Sequence, residues 1–141
     1  MTESSQQRYY SPSQIGVAAF LGSPLASGYL AFRNYSLFHA QSKGTLALVG
    51  SVVVLAIQLS ISYSLPNDSP GFHLAAIVAA VIAALYRWHA QVAFGSQITQ
   101  LRAEGATSYS WWRVIGLSLA IFVALLVVAY FVLLFFASDA A

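Results

Sequence analysis

The stretch RVIGLSLAIFVALLVVAYFVLLFFA, Arg113 to Ala137, decides the fold: beyond Arg113 it carries no formally charged residue and no proline, and its one glycine is Gly116. A helix needs about 20 mostly apolar residues to cross a hydrocarbon core about 30 Å thick, and this segment supplies them. A second such run extends from Gly44 to Leu65, and a shorter third from Phe72 to Tyr86. The third crosses if Arg87 snorkels towards the interface. Its helix is expected to continue to about Leu101. There Arg87, Gln91 and Gln97 alternate with Trp88, Val92, Phe94 and Ile98, an amphipathic mixture suited to the headgroup level.

Composition agrees with a lipid solvent. Charged residues make up 7% of the 141 and hydrophobic ones 59%, too little polar side chain to cover a water-soluble domain. The net charge of +2 is too small and scattered for nucleic-acid binding. The chain has no cysteine, which excludes disulfides, thiolate metal sites, Cys nucleophiles and lipid attachment through Cys.

The N-terminal third holds a broken apolar segment. Ser11-Pro12-Ser13-Gln14 reads as a helix start, with Ser as N-cap, Pro at the first helical position and Gln closing a capping box. Gly22-Ser23-Pro24 repeats the signal: Gly can end one helix while Ser-Pro caps and starts the next. The segment has the outline of a signal peptide, with Arg8 ahead of Ile15 to Leu25 and the small residues Ala26-Ser27-Gly28 behind. Pro24 inside the apolar run and the continuation Tyr29-Leu30-Ala31-Phe32 favour retained structure. Two arrangements fit the spacing: a proline-kinked span from Pro12 to Phe32, or a re-entrant pair of helices that enters and leaves on one side.

Charge placement sets an expected topology. Arg33 and Lys43 lie between the first and second apolar segments, and Arg87, Arg102 and Arg113 between the third and fourth, so both connections are expected inside. The connection Pro66-Asn67-Asp68-Ser69-Pro70-Gly71 carries only an acid and is expected outside, as is the C-terminus. A crossing first segment leaves Arg8 outside; a re-entrant one brings all six basic residues inside. Tyr109, Trp111 and Trp112 form an aromatic belt, with Arg87 and Arg113 as interfacial anchors.

The expected fold class is therefore all-α, an integral membrane helical bundle with three firm transmembrane helices and a broken N-terminal helix that crosses or is re-entrant. Its organisation is a polar tail at 1–10, the broken helix and cytoplasmic loop at 11–43, a three-helix transmembrane unit at 44–137 (44–65, 72–86 extending to about 101, and 113–137), and a C-terminal tail at 138–141.

Residues capable of chemistry are sparse. An ionisable side chain inside a span is costly and marks function, and no span here contains an acid, a lysine or an arginine in its interior. His39, His73 and His89 lack close helical spacing and a clustered acid, so no metal site is assigned. No nucleophile elbow or paired carboxylates stand out, and neither an enzyme nor a cofactor is expected. Gln58 is the most informative polar residue within a span, because an amide in hydrocarbon seeks a partner across a helix interface.

The positive signal is packing surface. Ala75, Ala79 and Ala83 recur at four-residue spacing beside Ala76, Ala80 and Ala84; Gly116, Ala120 and Ala124 repeat the pattern in the last span, and Ala18, Gly22 and Ala26 in the first segment. Such rows let helix backbones approach closely. Several rows in so small a bundle leave room for another membrane protein or a second copy.

The strings Tyr10-Ser11-Pro12-Ser13-Gln14-Ile15 and Phe20-Leu21-Gly22-Ser23-Pro24-Leu25-Ala26, followed by Asn34, resemble a pattern in small bacterial inner-membrane proteins with no established function. The resemblance covers residues 9 to 35. Its pattern often has glycine where this chain has Ser23. It implies a bacterial inner-membrane location and singles out the break, but brings no activity. The expected function is non-enzymatic: helix contacts made as an accessory subunit or as an immunity-type protein against a membrane-acting toxin. A homo-oligomeric channel or small-solute transporter built on the break and Gln58 is the alternative, and a lipid or envelope-stress sensor using the stretch from Arg87 to Leu101 a weaker one.

Overall fold

A computed structural model of the chain describes residues 7–65 and 69–138. Most of the expected outer connection (66–68), residues 1–6 and residues 139–141, Asp139 included, lie outside the described residues. The fold is all-helical. Helices α1 (Pro12–Gly22), α2 (Pro24–Leu37), α3 (Gln41–Ser64), α4 (Ser69–Ala103) and α5 (Trp111–Ser138) follow a short strand, β1 (Arg8–Tyr9), which pairs in parallel with β2 (Thr107–Ser108). Helices α3, α4 and α5 are each long and apolar enough to cross a membrane.

Helix α1 begins where its capping chemistry dictates. The Ser11 hydroxyl accepts from the Gln14 backbone N–H, the Gln14 side chain accepts from the Ser11 N–H, and Pro12 occupies the first turn. The helix stops at Ser23, where φ is +88° and ψ 166°. The chain then reverses. The Ser27 hydroxyl donates to the Ile15 carbonyl, and Asn34 both accepts from the Tyr10 N–H (2.9 Å) and donates to the Tyr10 carbonyl (2.7 Å). In one straight helix residues 10 and 34 would lie about 36 Å apart. Helices α1 and α2 are therefore a hairpin with its tip at Ser23 and its mouth at Tyr10 and Asn34, not one kinked rod.

This hairpin is the hub. Helix α1 lies against α4 and α5, and α2 against α3, whereas α3 and α4 touch only slightly. The three contacts share one device. A Cβ on Gly16 would stand 2.9 Å from Arg87 Cβ and 3.1 Å from the Ala83 carbonyl of α4; one on Gly22 would stand 2.5 Å from the Ser118 carbonyl of α5; one on Gly28 would overlap the Ser51 side chain of α3. Gly16 and Gly22 admit α4 and α5 to backbone contact and Gly28 admits the Ser51 side chain of α3, the close approach that holds helices together in lipid, where no hydrophobic force favours helix over acyl chain.

The buried core sits at the mouth. Tyr9, Tyr10, Ile15, Leu30, Phe94, Ile98 and Val114 form it. Phe94 meets the Tyr35 ring edge-on at 4.6 Å, and Tyr10 lies 4.4 Å from Tyr109. Two expectations change here. Residues 8–10 do not belong to a polar tail, because β1 pairing holds Arg8 and Tyr9 against β2 and the Tyr9 and Tyr10 side chains are buried in the core. In the amphipathic part of α4 the inward stripe is Ala90, Phe94 and Ile98, at four-residue spacing, while Trp88 and Val92 point outward. Away from the mouth the helices are bare: no more than 11% of the most apolar 18-residue window of any span is buried.

The glycine contacts yield a graded prediction. Gly22→Ala, which drives a methyl into α5 backbone, is expected to lower stability by about 1–3 kcal/mol. Gly116→Ala, with nothing within 4 Å of its added methyl, is expected to leave it unchanged. Thermal unfolding of the two purified variants in one detergent, followed by size-exclusion recovery, checks the contrast.

Candidate functional site

The hairpin tip is built from Gly22, Ser23 and Pro24, and the roles of the first two are exchanged relative to the sequence reading. Gly22 does not end α1 in a left-handed turn; it stays helical, and its missing side chain makes space for Ser118. Ser23 takes the positive φ, in a region that is almost exclusively glycine territory, at a cost of about 1–3 kcal/mol. Its hydroxyl does not cap α2.

Three oxygens around this level are buried without a hydrogen-bond partner: Ser23 Oγ, Ser118 Oγ and Gln58 Oε1. Their isolation is specific. Ser51, Ser60 and Ser64 donate back to the carbonyls of Ala47, Ala56 and Ser60, the usual way a helical serine is satisfied in an apolar setting, and Ser118 does not. Gly28 is level with Ser51, so Pro24 is level with about Leu55, and Gln58 follows roughly 4–5 Å beyond the tip. The tip region thus offers hydroxyl and amide groups for hydrogen bonding. It offers no carboxylate or imidazole to Ser23 or Ser118, so neither serine is activated as a nucleophile among the described residues.

The mouth is the polar counterpart. Besides the Tyr10–Asn34 pair, Gln14 Nε2 donates to the Tyr109 carbonyl at 2.6 Å, the Arg113 guanidinium lies 4.5 Å over the Tyr109 ring, and Arg102 Nε donates to the Tyr9 hydroxyl at 3.3 Å. Arg8 and Arg33 line a pocket of about 250 Å³ with Tyr10, Asn34 and Tyr109. Burial pushes the Tyr10 hydroxyl above its ordinary range, against the opposing pull of Arg113. All six basic residues sit on the mouth side of the tip; Arg87 lies beside Gly16, about 6 Å along α1 from Pro12. The one acid among the described residues, Glu104, accepts from Gln100.

The other candidate residues divide. Ala83 meets α1 through Gly16, and Ala75 and Ala79 are half-buried. Gly116, Ala120 and Ala124 are exposed: the face of α5 that packs within the chain is Val114, Leu117, Ser118 and Ile121. Trp111 and Trp112 are exposed, and Arg113 is tied to Tyr109. Among the described residues no three His, Asp or Glu side chains gather in a way that could hold a metal ion.

Sequence reasoning missed Gly16, Gly28 and Asn34. The glycines recur every six residues with Gly22 between them, and Asn34 is an amide two positions after the apolar run that ends at Phe32; both signals were present in the sequence. No protein family matches this chain, and no curated protein or solved structure is significantly similar to it.

Two substitutions test the site in opposite directions. Ser23→Gly is expected to raise stability by about 1 kcal/mol by relieving the backbone, read as a higher midpoint of thermal unfolding. Asn34→Leu strands the buried N–H and C=O of Tyr10 and is expected to cost about 2–3 kcal/mol, with faster amide exchange at residues 8–10 and 107–109.

Proposed function

We propose that this is a non-enzymatic, multi-pass protein of a bacterial inner membrane that works by helix contact, holding another membrane-embedded protein as an accessory or immunity-type subunit. The observation that carries this reading is the open row Gly116, Ala120 and Ala124. Small residues at this spacing suit close backbone approach, yet among the described residues no other part of the chain lies within 4 Å of a Cβ on Gly116, and all three residues are exposed. The hairpin satisfies its three spans through other residues, so this row is free for a neighbour.

The topology proposed with it is re-entrant. The hairpin enters and leaves on the cytoplasmic side, α3 and α5 run outward, α4 returns, and the C-terminus lies outside. Two features support this. Every basic residue falls on the mouth side, in line with the orientation rule. Helix α1, with 11 residues, reaches only about 16 Å, roughly half of the hydrocarbon core. The broken backbone at Ser23 has α5 against it through Gly22 and Ser118, the condition under which irregular backbone is tolerated at membrane depth.

A second reading has its own support. The unpartnered oxygens of Ser23, Ser118 and Gln58 near a helix break suit a polar solute or water at mid-membrane, as in a homo-oligomeric channel or small-solute transporter.

The absence of native cysteine makes the test direct. Single cysteines from Val114 to Ala124, cross-linked in native membranes, are expected to react at Gly116, Ala120 and Ala124 and to stay silent at Val114 and Ser118. Mass spectrometry of the products separates the readings: a second protein favours the accessory role, and a self-linked dimer the channel. A flat pattern along α5 contradicts both. For topology, a membrane-impermeant maleimide added to intact cells is expected to label Ser64→Cys but neither Ser4→Cys nor Ser108→Cys.

A further inference from the structure

Between α1 and α4 runs a groove of about 700 Å³ that the contacts described so far leave unfilled. Gly16 forms part of its floor, because without a side chain there α1 settles onto Ala83 and the base of Arg87. Ser13, Arg87 and Gln91 line its mouth-side end, and Phe20, Leu21 and Ala84 the end towards the tip. One end therefore offers a cation, a hydroxyl and an amide, and the other only hydrocarbon. No carboxylate lines it, and Arg87 makes no hydrogen bond or ion pair among the described residues.

An unpaired guanidinium at the inner edge of a span needs either water or an anion. A planar guanidinium binds phosphate oxygens in a bidentate way, and basic clefts between transmembrane helices on the cytoplasmic side suit lipid headgroups. We propose that this groove is a binding site for one anionic glycerophospholipid. Its phosphate lies against Arg87, its headgroup hydrogen-bonds Ser13 and Gln91, and one acyl chain runs along Phe20, Leu21 and Ala84. Charge complementarity at one end and apolar continuity at the other select this occupant over a peptide helix, which would leave Arg87 without a counter-charge. The bound lipid would fill the α1–α4 cleft and brace the hairpin against α4.

Trp88 lines the same groove and reports its occupancy. In the full-length W111F/W112F background it is the only tryptophan left. The protein is placed in nanodiscs of unbrominated phosphatidylcholine and titrated with phosphatidylglycerol or phosphatidylcholine brominated on the acyl chain. Quenching of Trp88 is expected to favour the brominated phosphatidylglycerol by about fivefold in apparent affinity. Arg87→Gln is expected to abolish that preference, and Arg87→Lys to keep most of it. Ala84→Phe, which fills the apolar half, is expected to reduce quenching by phosphatidylglycerol with the headgroup end intact. Equal quenching by the two lipids, or a preference that survives Arg87→Gln, overturns the proposal. So does displacement of the brominated lipid by millimolar inorganic phosphate, which would mark a site for free anion. If Arg87→Gln does not fold, the Ala84→Phe titration and the phosphate competition decide the matter.

Discussion

Three transmembrane backbones meet this hairpin only because it carries glycine at 16, 22 and 28. In lipid, apolar side chains have no preference for one another over acyl chains, so cohesion must come from short-range contact between backbones and from hydrogen bonds. Each glycine allows close approach to a different helix: the backbone of α4 at Ala83 and Arg87, the backbone of α5 at Ser118, and the Ser51 side chain of α3. Remove the hairpin and little joins the spans, since α3 and α4 hardly touch. The resource the fold depends on is thus empty space at three points on a short element, not apolar bulk in the long ones.

The hairpin also divides the molecule into two unequal ends. At the mouth, backbone pairing between β1 and β2, the Tyr10–Asn34 hydrogen bonds and the tyrosine and phenylalanine cluster make a densely satisfied core, surrounded by cations. Near the tip the balance reverses. Backbone is strained at Ser23, and oxygens of Ser23, Ser118 and Gln58 lack partners. Satisfied contacts thus gather at the mouth and unsatisfied polar groups near the tip, the asymmetry on which the proposed role rests. The open face of α5 and the groove beside Arg87 are the lateral surfaces on which the proposed partner and lipid would bind.

Much of this was legible in the sequence, and the part that was not has a physical reason. Apolar length alone marked α3 and α5, and the capping box at Ser11-Pro12-Ser13-Gln14 fixed the start of α1, because both depend on neighbours in sequence. The break at Gly22-Ser23-Pro24 was equally local. Its direction was not: whether the chain reverses there depends on Asn34 finding Tyr10 and on Gly16 and Gly28 finding α4 and α3, contacts between residues far apart in sequence. The same limit misassigned Tyr9 and Tyr10 to a tail, since two short strands with two residues each leave no periodic signal. The row Gly116, Ala120 and Ala124 was expected to pack from its spacing, but within this chain it is exposed, because spacing does not say where a packing partner lies.

The account stands on the fold-back of the hairpin, which brings β1 beside β2. The most direct measurement places nitroxide labels at Arg8→Cys and Thr107→Cys, the paired positions of the two strands, in full-length protein reconstituted in bilayers. Strong dipolar broadening of the EPR spectrum, lost when either label is omitted, is the result the account predicts. Labels held about 30 Å or more apart, the separation that a crossing first segment imposes, would give no broadening and would contradict it.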